Sequence, residues 1–284
     1  ILQKNIKMPS PYPIGVMQGR LLPKYQGRYQ AHPIDYWVDE FAIASKLGLD
    51  CIEFIFDFND FECNPLLTRE GRSQIRSLEK DTGVKVLSVC ADYFMEAPLY
   101  KGAEQSIEKS LNVLSELIDS CSELSVRDIV IPCVDQSRID NSEQQEIFSR
   151  QSTQLLPKVE EFGINLSLET DLPPDEFKSL LKNLDHPRVT VNYDTGNSAS
   201  NGFDPVIELE AYGDKISDLH IKDRMLGGGP VELGKGDCNF QLFFKEFYKI
   251  DFSGPIILQA YRDEEGVEVF KKQFSWFMQS MNGI

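Results

Sequence analysis

Short apolar runs alternate with longer amphipathic stretches from one end of this chain to the other. The runs at 14–17, 51–56, 85–90, 128–134, 165–169, 189–194, 216–222 and 255–259 are mostly near-continuous in apolar residues. That is the pattern of strands buried on both faces of a parallel sheet. Between them, the spacing of apolar positions predicts helices over 34–47, 68–82, 103–124, 142–162, 174–184, 205–212, 240–248 and 264–278. Gly48 and Gly163 follow two of these segments as left-handed helix stops, and Asp204-Pro205 reads as an N-cap followed by proline at the first helical position.

Eight strands alternating with eight helices is the count of a closed (β/α)8 TIM barrel. An open doubly wound sheet usually stops at about five to seven strands and has a glycine-rich first turn. The first turn here, Gly15-Val16-Met17-Gln18-Gly19-Arg20, has no G-x-G-x-x-G. No linker or low-complexity segment divides the chain, so one domain is expected over 1–284, with 1–12 as an N-terminal extension.

Composition narrows the partners. The 284 residues are 41% apolar and 26% charged, ordinary for a globular barrel. With 29 Lys+Arg against 45 Asp+Glu the formal charge is −16. A nucleic-acid partner is therefore not expected, because phosphates call for a basic face. The six cysteines are scattered without a CxxC pair and read as reduced thiols. No apolar run approaches the ~18 residues of a membrane span. Ile1-Leu2-Gln3-Lys4 has neither an initiator Met nor a signal-peptide core and reads as a trimmed start. The expectation is a soluble, cytoplasmic protein with no membrane partner; oligomeric state stays open, a homo-oligomer included.

In such barrels the chemistry lies at the carboxyl ends of the strands. The fifth predicted strand ends in Glu169 and the sixth in Asp194. The seventh carries His220, Lys222 and Asp223, and the eighth ends in Gln259, with Arg262 just beyond. Any barrel has some polar strand ends that are merely solvated. Two carboxylates, an imidazole and an amide at four successive ends nevertheless compose an O/N cage suited to manganese, magnesium, cobalt or zinc.

Glu169, Asp194-Thr195-Gly196-Asn197, His220-Ile221-Lys222-Asp223 and Gly234-Lys235-Gly236 together resemble the xylose isomerase-like TIM barrel superfamily, whose members include sugar and sugar-phosphate isomerases and epimerases, inosose dehydratases and endonuclease IV-type (AP endonuclease family 2) enzymes. The resemblance spans nearly the whole chain. It implies a divalent metal held by Glu169, Asp194, His220 and the residue ending the eighth strand, here Gln259. In the similar epimerases two glutamates move protons on opposite faces of the sugar. Gln259 stands where they carry the second one, and a glutamine can ligate through its carbonyl oxygen but cannot act as a base. The endonuclease branch needs many imidazoles, whereas this chain has only His32, His186 and His220, the first two in turn-like His-Pro contexts.

Other residues complete the expected pocket. Glu53 is an acid inside an apolar strand, which requires a partner or a solvated mouth, and reads with Glu169 and Lys222 as catalytic. Arg20, Asp92, Asn197, Asp223, Lys235 and Arg262 are expected to touch substrate; Arg20 and Asp92, like Asp135, suit loop capping equally well. Tyr93, Phe94 and Met95 suit an apolar wall or simple packing. Gly227-Gly228-Gly229 reads as a lid hinge rather than a phosphate loop. The function expected is a metal-dependent sugar or sugar-phosphate isomerase or epimerase-like enzyme, with one base because of Gln259. The alternatives are a lyase or dehydratase with Asp223 as acid, a hydrolase on a polyol, and a non-catalytic carbohydrate-binding relative.

Overall fold

A computed structural model describes residues 10–282, so most of the expected extension 1–12 lies outside the described residues. The strands are β1 Ile14–Met17, β2 Cys51–Ile55, β3 Ser88–Cys90, β4 Asp128–Cys133, β5 Asn165–Thr170, β6 Val189–Asp194, β7 Ile216–Ile221, β8 Asp223–Arg224, β9 Pro230–Val231 and β10 Ile256–Leu258. Eight of them close a parallel barrel in the order β1-β10-β7-β6-β5-β4-β3-β2, and β8 with β9 forms a small antiparallel ribbon beside its mouth. All eight barrel strands fall where the apolar runs place them.

Strand periodicity sorts side chains into two cores. Ile52 and Phe54 of β2 point outward and join the large apolar layer between strands and helices. Cys51 and Ile55 point inward and pack with Met17, Cys90, Val130 and Ile257 inside the barrel. Gly15 is required here, since a Cβ would stand 2.5 Å from Cys51 Sγ and 2.8 Å from Ile257 Cδ1. Outside the barrel, Phe240, Phe243, Phe244 and Phe247 line one face of the helix Phe240–Phe247, all buried; such burial is worth about 2 kcal/mol per ring.

The helices follow the predicted pattern with differences, several of which bear on the site or have a clear cause. The segment predicted as one helix over 142–162 is two, Ser142–Thr153 and Leu156–Phe162. Pro157, without an N–H, sits in the first turn of the second and cannot continue the first. The first helix is Asp39–Leu47, because 34–38 is a run of turns after Pro33. Thr195–Asn201, not among the predicted helices, is a short helix capped by Asp194. Gly48 and Gly163 do end their helices at φ 79° and 69°, and the Asp204 side chain does cap Val206 N–H. No described helix is long and apolar enough to cross a membrane.

Candidate metal centre

β5, β6 and β7 are neighbours in the barrel, so their ends bring Glu169, Asp194 and His220 together. One ligand-type atom from each lies within 4.8 Å of the others. Each of the three is held by one part of its side chain, and Asp194 and His220 each leave a buried atom without a partner. Asp194 Oδ1 accepts from the N–H groups of Gly196 and Asn197, both at 2.8 Å, as the cap of the Thr195–Asn201 helix. His220 Nε2 lies 2.7 Å from Glu53 Oε1, whose Oε2 in turn accepts from Ser88 Oγ at 2.5 Å. Asn197 Nδ2 donates to Glu169 Oε1.

The free atoms carry the metal reading. Asp194 Oδ2, His220 Nδ1 and Gln259 Oε1 are buried and have no hydrogen-bond partner. Leaving such an atom unsatisfied costs about 1–3 kcal/mol, and more for a charged group. With Nε2–H turned to the Glu53 carboxylate, Nδ1 is the nitrogen whose lone pair would go to a cation once its proton is lost, and it lies 3.8 Å from Asp194 Oδ2. An imidazole nitrogen and carboxylate oxygens within 4.8 Å of one another are donors that a first-row divalent cation takes, and this triad fits one.

Without a cation the cluster prefers to hold protons. Burial, then the charge of Asp194, raises the Glu169 carboxyl above its usual range. Burial works against a charged His220, but Glu53, Glu169 and Asp218 outweigh it and lift the imidazole to about 10. A cation would take the place of those protons.

Above the cluster a cavity of about 410 Å³ is lined by Glu169, Asn197, Lys222, Asp92 and Gln259, together with Arg28, Gln30, Asp57, Asp135 and Arg224. Lys222 Nζ lies 3.7 Å from Asp194 Oδ2. Asp92 accepts from Gln30 Nε2 at 2.7 Å, and burial raises its pKa.

Five expected site residues lie elsewhere. Glu53 is fully buried behind His220, not on the cavity wall; its strand position faces it into the barrel below the mouth. Arg20 is also buried, donating to Ala260 O and Gln30 Oε1. Arg262 spends its guanidinium on the carbonyls of Gly19 and Leu22, at 2.7 and 2.8 Å, and so ties two loops together. The carboxylate of Asp223 accepts from Gly234, Gly236 and Cys238 N–H, which folds the segment after β9. Lys235 is exposed and does not line the cavity. Gly227-Gly228-Gly229 forms the turn between β8 and β9, where Arg224 Nε donates to Gly228 O at 2.9 Å. His32 and His186 are loop residues; His32 is buried with Nδ1 2.8 Å from Gln18 Oε1.

Sequence reasoning missed Arg28, Gln30, Asp57 and Arg224 on the cavity and Asp218 beneath it. The first two lie in the stretch between β1 and the Asp39–Leu47 helix, and a connection of that length is itself a cue to function. Asp218 was legible from alternation, since Asp218, His220 and Lys222 occupy every second position. Burial, then the charge of Glu53, pushes Asp218 well above the usual carboxylate range.

The fold and this cluster define a parallel α/β barrel with a ligand-type triad at its carboxyl-terminal mouth. The family described as xylose isomerase-like TIM barrel matches residues 41–280, and the chain belongs to that family. Among curated relatives, the L-ribulose-5-phosphate 3-epimerase UlaE of Escherichia coli is 23% identical over 241 residues, covering 80% of this chain and 83% of that enzyme. Among solved structures, the IOLI protein with a bound zinc atom superposes with a TM-score of 0.77 at 15% identity, covering 95% of this chain and 98% of that one. The 3-keto-D-glucoside 4-epimerase YcjR of E. coli superposes with a TM-score of 0.73 at 15% identity, covering 94% and 99%. The chain is thus a distant relative of sugar and sugar-phosphate epimerases, with a buried cluster suited to a metal.

Proposed function

We propose that the protein is a metal-dependent sugar isomerase that moves a proton next to a carbonyl with a single base, Glu169. The observation that carries this reading is the set of three buried, unpartnered donor atoms on Asp194, His220 and Gln259. A divalent cation held by these residues and Glu169 would polarise the substrate carbonyl and its neighbouring hydroxyl. Glu169 stands on the cavity wall, where its carboxylate takes the proton and returns it on the same face. Lys222, on the same wall, stabilises negative charge developing on the substrate oxygen. Glu53 acts only through His220, by orienting its ring. Gln259 supplies no second base, which favours aldose–ketose isomerisation over two-base epimerisation.

The charges around the cavity favour an unphosphorylated sugar. Each lining cation already faces a carboxylate: Arg28 with Asp57 at 3.2 Å, Lys222 with Asp194 at 3.7 Å, Arg224 with Asp135 at 3.4 Å. Dehydration loses support, because the acid expected for it, Asp223, is committed to three backbone N–H groups.

The test is turnover of an aldose and ketose panel, free and 5-phosphorylated, in deuterated water after loading with Mn²⁺ or Co²⁺. Isomerisation with deuterium entering one carbon on one face supports the proposal. Inversion of a stereocentre would reveal a second base and overturn it, as would no turnover with stoichiometric metal bound.

A further inference from the structure

Arg20, Gln30 and Gln259 form a hydrogen-bonded chain whose direction is forced. Arg20 Nη2 lies 2.8 Å from Gln30 Oε1. A guanidinium has donors and no acceptor, so the oxygen of the Gln30 amide must face it. At its other end, Gln30 Nε2 lies 2.7 Å from Asp92 Oδ2. Turning the amide over would set its NH₂ against the guanidinium and its oxygen against the Asp92 carboxylate. Arg20 is itself fixed, buried with Nε 3.0 Å from the Ala260 carbonyl, one residue past Gln259.

The same Gln30 Oε1 lies 3.2 Å from Gln259 Nε2. An acceptor already facing Arg20 can take only a donor from Gln259, so the NH₂ of that amide is held at Gln30. The Gln259 carbonyl oxygen is left over, buried and unpartnered. We propose that Gln30, clamped between Arg20 and Asp92, is a positioning residue that presents Gln259 Oε1 as a neutral metal ligand and makes glutamine rather than glutamate the residue that fits at 259.

This inference rests on the metal reading above and adds its own consequence. A glutamate at 259 would place a carboxylate oxygen against Gln30 Oε1, two acceptors with no proton between them, and Gln30 cannot turn to relieve it. The amide at 259 is therefore matched to its surroundings and is not a lapsed base. Its neutrality also holds the ligand charge to the two carboxylates, enough to balance a divalent ion.

The experiment is Co²⁺ titration of the full chain by calorimetry, with the visible spectrum of bound Co²⁺ as second readout and metal-free thermal unfolding as the folding control. Gln259→Leu is expected to weaken binding about 10-fold or more, and Gln30→Leu by about 10-fold, the usual effect of removing a group that orients a ligand. Both should alter the Co²⁺ spectrum in the same direction, since Gln259→Leu removes the amide oxygen and Gln30→Leu releases it from its position. The pair Gln30→Glu with Asp92→Asn keeps an acceptor toward Arg20 and Gln259 and returns a donor from position 92, so it should restore wild-type affinity and spectrum. Gln259→Glu should tighten binding more in the Gln30→Leu background than in the wild type. Unchanged affinity in Gln259→Leu would defeat the ligand reading itself. Weakened binding there, with unchanged affinity in Gln30→Leu or no rescue by the paired exchange, would overturn the clamp alone.

Discussion

His220 Nε2 lies 2.7 Å from Glu53 Oε1, and neither residue is exposed to solvent. The two are 167 positions apart in sequence. Their contact fixes the tautomer of the imidazole and so decides which nitrogen is left for a ligand. Glu53→Gln preserves the size of the side chain and an acceptor for Nε2–H but removes the charge that makes the ring more basic. Metal affinity should fall by about 10-fold, with the metal-free fold intact. Calorimetric titration checks this, and unchanged affinity would mean that Glu53 is only a core acid.

Metal binding should depend steeply on pH. Glu169 and His220 both have raised pKa values in the metal-free protein, the first from burial and Asp194, the second from surrounding carboxylates that outweigh burial. A raised pKa means that each holds its proton further into the alkaline range, and each must lose it to become a ligand. Affinity should therefore rise with pH until both groups have lost their protons, up to about 10 for His220, and fall as protons return. Calorimetry in buffers of different ionisation enthalpy should record proton release on binding. Binding without release would exclude this ligand set.

Lys222→Met separates chemistry from metal binding. The ammonium lies near Asp194 Oδ2 and on the cavity wall, so its loss removes a competitor for the carboxylate along with the group proposed to stabilise substrate charge. We expect kcat to drop about 100-fold while metal affinity holds or rises. Steady-state kinetics together with metal titration decide it; a matching loss of metal would assign Lys222 a structural role.

Asp223→Ala tests the reassignment of that residue from substrate contact to loop anchor. Three backbone N–H groups lose their acceptor. The cost should be about 2 kcal/mol of stability, with faster proteolytic cleavage between 225 and 237. Denaturant unfolding and limited proteolysis measure both. A change confined to KM would restore the substrate role.

The sequence by itself determined the elements and the barrel. The apolar runs are local, each reports burial on both faces, and eight of them separated by helices leave little choice but closure. It also marked Glu169, Asp194, His220 and Gln259, because a polar residue at the end of an otherwise apolar strand is visible without knowing its neighbours. What only the tertiary structure decided is how each polar side chain is spent. Glu53, Arg20, Asp223 and Arg262 all look like site residues along the chain, yet their partners are an imidazole on β7, an amide and a carbonyl, three N–H groups and two carbonyls. Those partners come from segments that meet only when the barrel closes and the loops above it fold. Hydrogen bonds reach about 3 Å, so their pairing follows the path of the backbone in space, which periodicity along the sequence does not encode.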